Sequence, residues 1–291
     1  MILNAPAKLN LTFEITGRRE DGYHYIRSIM QTVDIYDRLK IDLSDHLELT
    51  GAMVAPPQEN IITRAVRGLE GLVGRKLPCC IHLDKSIPIG AGLGGGSSDA
   101  AAVIYALNRL YELGLSPQAM MEVGAQVGAD VPFFLVGGKC LVEGIGEKVT
   151  LMDPDEGRFL YLIFRPHWRR SSRQAYEDYD RTGKTFVQQA RERCTQLDAV
   201  FQFFRDATVS GKGPTTWVKR DYFVAYIGDE QVSAVASGLE SFMKDWNGDF
   251  FFAQPVFGCC EYSVQEWRSL RVPDAGEAPA EAAPNEIVEG Y

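Results

Sequence analysis

The sequence predicts an α+β protein of two domains followed by an acidic tail. Strand and helix patterns mingle along the chain without regular strand–helix alternation, which argues against a doubly wound parallel sheet. A charged stretch, Asp153-Pro-Asp-Glu-Gly157, interrupts the patterning and marks a boundary between residues 1–152 and 153–270. From residue 271 the chain turns rich in Ala, Pro and Glu, a composition that cannot bury a core and reads as disordered.

The elements follow in order. Ala7 to Ile15 alternate, with Leu9, Leu11, Phe13 and Ile15 on one face and Lys8, Asn10, Thr12 and Glu14 on the other, the pattern of a half-buried strand. Asp21-Gly22 is a turn pair, and Ile26–Val33 and Leu39–Leu43 read as further strands. Asn60 is placed to cap a helix over Ile61–Leu69. Cys79–Leu83 reads as a strand, and a helix runs from Ser97 with Ala100, Val103, Ile104, Leu107, Leu110 and Tyr111 as its apolar stripe, stopping by Gly114. Ser116-Pro117 opens the next helix and Gly128 closes it. Val131–Val136 and Lys139–Glu143 are predicted to form a hairpin about Gly137-Gly138. In the second half Phe159–Arg165 reads as a strand, the polar stretch to Gln188 is weakly patterned, and Leu197–Phe204 and Val232–Met243 carry helical patterns.

Composition narrows the function. With 45% apolar and 24% charged residues among 291, the chain has the make-up of a globular protein. Its apolar stretches are too short to cross a bilayer, and the N-terminus lacks the basic flank and apolar core of a signal peptide, so a cytoplasmic protein with no membrane partner is expected. A net charge of −9 argues against a nucleic-acid partner, although a small anionic metabolite can still be held locally. The six cysteines show no metal-binding spacing and read as small buried hydrophobes.

The strongest chemical signal is Pro88-Ile-Gly-Ala-Gly-Leu-Gly-Gly-Gly-Ser-Ser-Asp-Ala-Ala101. Five glycines within seven residues let backbone N–H groups approach an anion unobstructed, and the helix that follows aims its positive end at the same place. A plain connector gains nothing from so many glycines before a helix. Gly90, Gly92 and Gly95 satisfy the spacing of the dinucleotide fingerprint. Its context fails, however, because a proline and several residues separate strand from glycines and Glu112 is the only acid near the expected ribose position. A Walker A loop is excluded because no Gly-Lys-Ser/Thr ends the run.

Pro-x-x-x-Gly-Leu-Gly-Gly-Gly-Ser-Ser resembles the second motif of the GHMP kinase superfamily. Ala5-Pro-Ala-Lys-Leu-Asn-Leu11, Thr16-Gly-Arg-Arg-Glu-Asp-Gly-Tyr-His24, Gly128-Ala-Asp-Val-Pro-Phe-Phe134 and Val142-Glu-Gly-Ile-Gly-Glu147 are similar, within that superfamily, to the 4-diphosphocytidyl-2-C-methyl-D-erythritol kinases of non-mevalonate isoprenoid synthesis. The resemblance covers residues 5 to about 150, in the family's order. It implies the two-domain GHMP architecture, an N-terminal ribosomal protein S5 domain 2-like fold and a C-terminal ferredoxin-like fold, with the site between them. The implied reaction uses ATP and Mg²⁺ to phosphorylate the 2-hydroxyl of a cytidine diphosphate-linked methylerythritol, in a monomer or homodimer.

Carried over residue by residue, Lys8 and Asp130 take the catalytic positions: Asp130 accepts the hydroxyl proton and Lys8 steadies developing charge. Alone, Lys8 would read as a solvated strand lysine and Asp130 as a helix-end acid; the motifs reverse both. Asn10, two residues along from Lys8, lines the same site, and with Tyr23 and His24 it is implied to contact the substrate, the two rings serving the cytosine. Pro88, Gly90, Gly92, Leu93, Gly94, Gly95, Gly96, Ser97 and Ser98 form the ATP loop. Asn60 is implied to lie near adenine; from its place in the first turn Ser98 is a candidate contact for phosphate or magnesium, and Asp99 a residue that stabilises the helix start. Val209-Ser-Gly-Lys-Gly-Pro-Thr-Thr216 resembles the third motif, with Gly211 and Gly213 flanking Lys212 where the family has a small hydroxyl residue. That departure keeps open a GHMP kinase of another small alcohol, or a catalytically impaired nucleotide-binding homologue.

Overall fold

The computed structural model describes residues 1–52, 59–155, 159–166, 172–186, 216–218, 223–228 and 248–256, with a few single positions between them. The patterns at 197–204, the third-motif residues Gly211, Lys212 and Gly213, and the tail from 271 lie outside the described residues.

Strands β1 (Ile2–Asn10), β2 (Glu14–Arg18), β3 (His24–Leu43), β4 (Glu48–Gly51), β5 (Cys79–Asp84), β6 (Lys139–Gly144) and β7 (Lys148–Leu151) form one sheet. Its spine is β3, 20 residues long where the sequence suggested two shorter strands. One edge of β3 takes β1, with Lys8 opposite Thr32 and Asn10 opposite Met30, and then β2. The other edge pairs with β6 over Ile26–Gln31 and with β5 over Arg38–Leu43. The gap between those pairings receives Gly138, whose carbonyl accepts from Thr32 N–H at 3.0 Å, and Gln254, whose carbonyl accepts from Asp34 N–H at 3.1 Å.

Helices α1 (Ile61–Val73), α2 (Gly95–Leu110), α3 (Pro117–Val127) and α4 (Val131–Val136) accompany this sheet. The caps read from the sequence are present: Asn60 Oδ1 accepts from Ile62 N–H at 2.9 Å and Ser116 Oγ from Ala119 N–H at 3.2 Å. One element differs. Val131–Val136 is a helical turn and a half, not the first strand of a hairpin. All six residues are buried, so their apolar run carries no period to tell helix from strand. Pro132 in the first turn suits a helix start, and Gly137 and Gly138, both at positive φ, end it.

A second sheet, ordered β11-β8-β10-β9, comprises β8 (Phe159–Pro166), β9 (Thr216–Val218), β10 (Phe223–Gly228) and β11 (Gly248–Ala253). Helix α5 (Ser172–Thr182) falls in the stretch that sequence patterning left open. The two sheets share a core: Ala7, Leu9 and Val33 from the first meet Tyr161, Ile163, Val224 and Ala253 from the second. No helix among the described residues is long and apolar enough to cross a membrane. Cys79 and Cys140 are buried free thiols, and burial pushes the Cys79 thiol up to about 11.

Candidate active site

The glycine run is an anchored loop, not a slack connector. Ile87, Ala91 and Leu93 plug into the core shared by the two sheets, while Gly90, Gly92 and Gly94 take φ of 71°, 75° and 75°. That alternation of buried apolar residues with left-handed glycines folds the segment tightly and keeps one side bare. Leu93 carbonyl accepts from Lys8 N–H at 2.9 Å, tying the loop to β1. Helix α2 starts at Gly95, two residues before the sequence reading placed it, so its first-turn N–H groups belong to the loop.

Lys8 is 3% exposed, against the solvated face that strand alternation alone suggests. Both faces of β1 are covered, because Ala5, Pro6, Ala7, Lys8 and Leu9 are all buried. Lys8 Nζ donates to Asn10 Oδ1 at 2.6 Å and lies 3.6 Å from Asp130 Oδ2. Asp130 occupies the N-cap position of α4 but its side chain makes no capping bond there, and it is 32% exposed. A buried cation therefore sits between a carboxamide oxygen and a carboxylate that still reaches solvent, directly under the glycine loop. A group of this kind can take a proton from an alcohol while the ammonium holds the charge.

Ser98 Oγ is fully buried and without a hydrogen-bond partner, in the first turn of α2. An orphaned hydroxyl beside bare amides suits an oxygen-rich ligand such as a phosphate or its Mg²⁺. Among the described residues no group of three or more His, Cys, Asp or Glu could hold a metal ion. Asn60 precedes Ile61, which meets the same turn: a Cβ on Gly96 would lie 3.5 Å from Ile61 Cγ2. The Asn60 side-chain oxygen is spent on the α1 cap.

Tyr23 and His24 stand apart from this group. His24 is six residues from Met30, the partner of Asn10, so the two places lie roughly 20 Å apart along β3. Tyr23 is 61% exposed. His24 is buried, stacked on Tyr176 with centroids 4.8 Å apart, and its Nε2 is 2.7 Å from Asp180 Oδ1. Both partners come from α5, which sequence reasoning did not assign, and nothing in the spacing of Tyr176 or Asp180 signalled it.

Beneath the loop lies a buried triad. Lys85 Nζ pairs with Asp37 Oδ2 and, at 2.9 Å, with Asp99 Oδ2. Burial opposes the Lys85 charge, but the Asp99 and Asp37 carboxylates outweigh it and hold the ammonium above its ordinary value. Burial pushes the Asp99 carboxyl up to about 7; Asp37 adds to that, and Lys85 offsets only part of it. A pKa raised on folding contributes stability that is complete below about 4 and is lost as pH climbs through about 7. Asp99→Asn removes that titration. Its melting temperature is expected to fall less than the parent's between about pH 5 and about pH 8, and equal slopes in thermal denaturation would rule the effect out.

Residues 60–138 match the GHMP kinases N terminal domain. The chain is 42% identical over 178 residues to a 4-diphosphocytidyl-2-C-methyl-D-erythritol kinase of Carboxydothermus hydrogenoformans, covering 60% of this chain and 62% of that one, a little under two thirds of the relative's length. It is 37% identical over 247 residues to the kinase of that name from Geobacter metallireducens, covering 82% of this chain and 84% of the relative. A crystal structure of a 4-(cytidine 5'-diphospho)-2C-methyl-D-erythritol kinase is similar at TM-score 0.65 and 26% identity, covering 88% of this chain and 100% of that one.

Proposed function

Since the chain belongs to the 4-diphosphocytidyl-2-C-methyl-D-erythritol kinase family, with the GHMP kinase fold, we propose that it transfers the γ-phosphoryl group of ATP to the 2-hydroxyl of a cytidine diphosphate-linked methylerythritol in the cytoplasm. The observation that carries this reading is the bond between Lys8 and the glycine loop together with the 3.6 Å approach of Lys8 to Asp130. It supports an acid–base pair working within reach of a phosphate cradle.

The loop amides of residues 90–98 and the start of α2 hold the triphosphate. The acceptor hydroxyl enters beside the exposed edge of Asp130. As its oxygen closes on the γ-phosphorus and the bond to the ADP oxygen opens, its proton passes to an Asp130 carboxylate oxygen. Lys8, fixed by Asn10, neutralises negative charge gathering between acceptor and phosphate. The Ser98 hydroxyl is the protein group that would hold Mg²⁺, which would supply charge neutralisation at the phosphates.

Tyr23 and His24 take the far end of the substrate. A separation of roughly 20 Å suits an extended molecule with its base at one end, its reacting alcohol at the other and a diphosphate between. The triad carboxylates and α5 do not enter the chemical step.

Incubation with ATP and the cytidine diphosphate-linked alcohol is expected to yield a product heavier by one phosphoryl group in a mass spectrum, with ADP formed in equal amount. ATP turnover supported by homoserine, mevalonate or galactose, and not by the cytidylyl substrate, would replace the proposed acceptor with another.

A further inference from the structure

The glycine loop has two ends, and one buried ammonium holds both. At the entry, Asp37 Oδ1 accepts from Ser86 N–H at 2.7 Å and from Ile87 N–H at 2.8 Å, fixing the chain as it leaves β5. The other oxygen of the same carboxylate pairs with Lys85 Nζ, and Lys85 in turn donates to Asp99 Oδ2 at 2.9 Å, in α2 just past the loop's exit. Asp37 is fully buried on the stretch of β3 that pairs with β1, opposite Ala5 in the strand that carries Lys8. The triad thus connects the entry and exit of the loop to the strand pair that positions the proposed catalytic lysine.

The first residue of α2 rests directly on this charge cluster. A Cβ on Gly95 would lie 2.9 Å from Lys85 Nζ, 3.0 Å from Asp37 Oδ2 and 3.1 Å from Ile87 Cγ2. The N–H groups that begin α2 are therefore set at a height fixed by the ammonium below them. Lys85 is itself almost wholly buried and faces two carboxylates, so it is not the cation that meets the triphosphate.

Resting on the nucleotide-binding reading of the loop given above, we propose that Lys85 is a positioning residue for ATP: clamped between Asp37 and Asp99, it sets the spacing of the glycine-loop amides and so determines nucleotide affinity. It does not touch the reacting atoms. Its loss weakens the fit of the triphosphate and leaves the cytosine end of the site, at His24 on the other end of β3 from Asp37, as it was.

The test is equilibrium binding of mant-ATP, a fluorescent ATP analogue, followed by steady-state kinetics. Lys85→Met is expected to weaken mant-ATP binding about tenfold or more and to raise KM for ATP to match. Meanwhile kcat at saturating ATP and KM for the alcohol change less than about threefold. Because that variant leaves two buried carboxylates without their cation, it is paired with the charge-neutral triple variant K85M/D37N/D99N. In the triple variant the carboxamide oxygen introduced by Asp37→Asn can still accept the two loop-entry N–H groups, and no unpaired charge remains. The same loss of nucleotide affinity is expected there. A triple variant that melts cooperatively and binds mant-ATP within about twofold of wild type overturns the proposal, as does a fall in kcat with a parallel rise in both KM values that signals general damage. A wild type that binds mant-ATP but phosphorylates no cytidylyl alcohol overturns the acceptor reading alone, and the affinity comparison then decides the role of Lys85 by itself.

Discussion

Asp130→Asn is expected to lower kcat by roughly 10²–10⁴ while moving KM for ATP by less than about threefold. Asparagine keeps the shape of the side chain and its place at the start of α4, where it makes no capping bond that could be lost. What disappears is a basic oxygen able to take the acceptor proton, and the negative charge facing Lys8. The ammonium, 3% exposed, keeps the Asn10 oxygen at 2.6 Å but loses its facing carboxylate, so a modest loss of stability accompanies the loss of rate. Steady-state rates with both substrates saturating separate the two effects, because the glycine loop proposed to hold the nucleotide is untouched. A variant turning over within about tenfold of the parent would show that the acceptor proton leaves by another route, and Asp130 would then be an electrostatic partner of Lys8 and no more.

How far the sequence discloses this site depends on the range of the interactions involved. The Asn60 and Ser116 caps, the Asp21-Gly22 turn and the glycine loop are legible because each is decided by residues within a few positions of one another. Lys8 is different. Strand alternation tells which side it points to, but not that the loop and the core both close over that side. Helix α4 fails for a related reason, since an apolar run buried on every side has no polar face to reveal its period. Pro132 and the two glycines after it were the readable hints. The triad could not be seen at all. Lys85 precedes a proline by three residues and reads as a surface charge until β3 brings Asp37, 48 positions earlier, against it. Helix α5 is held by tertiary contacts of the same long range, including the stacking of Tyr176 on His24 and the bond from His24 to Asp180.

These long-range contacts divide the work between the two halves of the described chain. The first sheet supplies the loop, the acid–base pair and the triad beneath them. The second sheet closes the core behind β1 through Tyr161, Ile163 and Val224, which is why a lysine on that strand can be buried and still be useful. Its ammonium is held by the Asn10 oxygen and the Asp130 carboxylate, and its backbone is fixed by Leu93, so little rearrangement is needed when charge moves through the site.

The same coupling makes Gly94 the most sensitive backbone position in the site. Its φ of 75° already disfavours any other residue, at a cost of about 1–2 kcal/mol. A Cβ there would also come within 2.7 Å of the Phe134 ring and 2.9 Å of Lys8 Cγ. Phe134 is fully buried in α4, four residues from Asp130, and has nowhere to retreat. Gly94→Ala is therefore expected to destabilise the protein by about 2–4 kcal/mol in chemical denaturation. Gly74→Ala is the control: φ there is 66°, but a Cβ would meet nothing within 4 Å, so only the backbone term of about 1–2 kcal/mol applies. The difference between the two variants isolates the crowding. Relief of that crowding can come only by moving α4 or the Lys8 side chain, and either motion pulls the ammonium from the carboxylate. Activity of Gly94→Ala should accordingly fall by about 10² or more even where the protein remains folded. A variant as stable as Gly74→Ala and close to the parent in kcat would mean that loop, lysine and α4 are not packed as one unit.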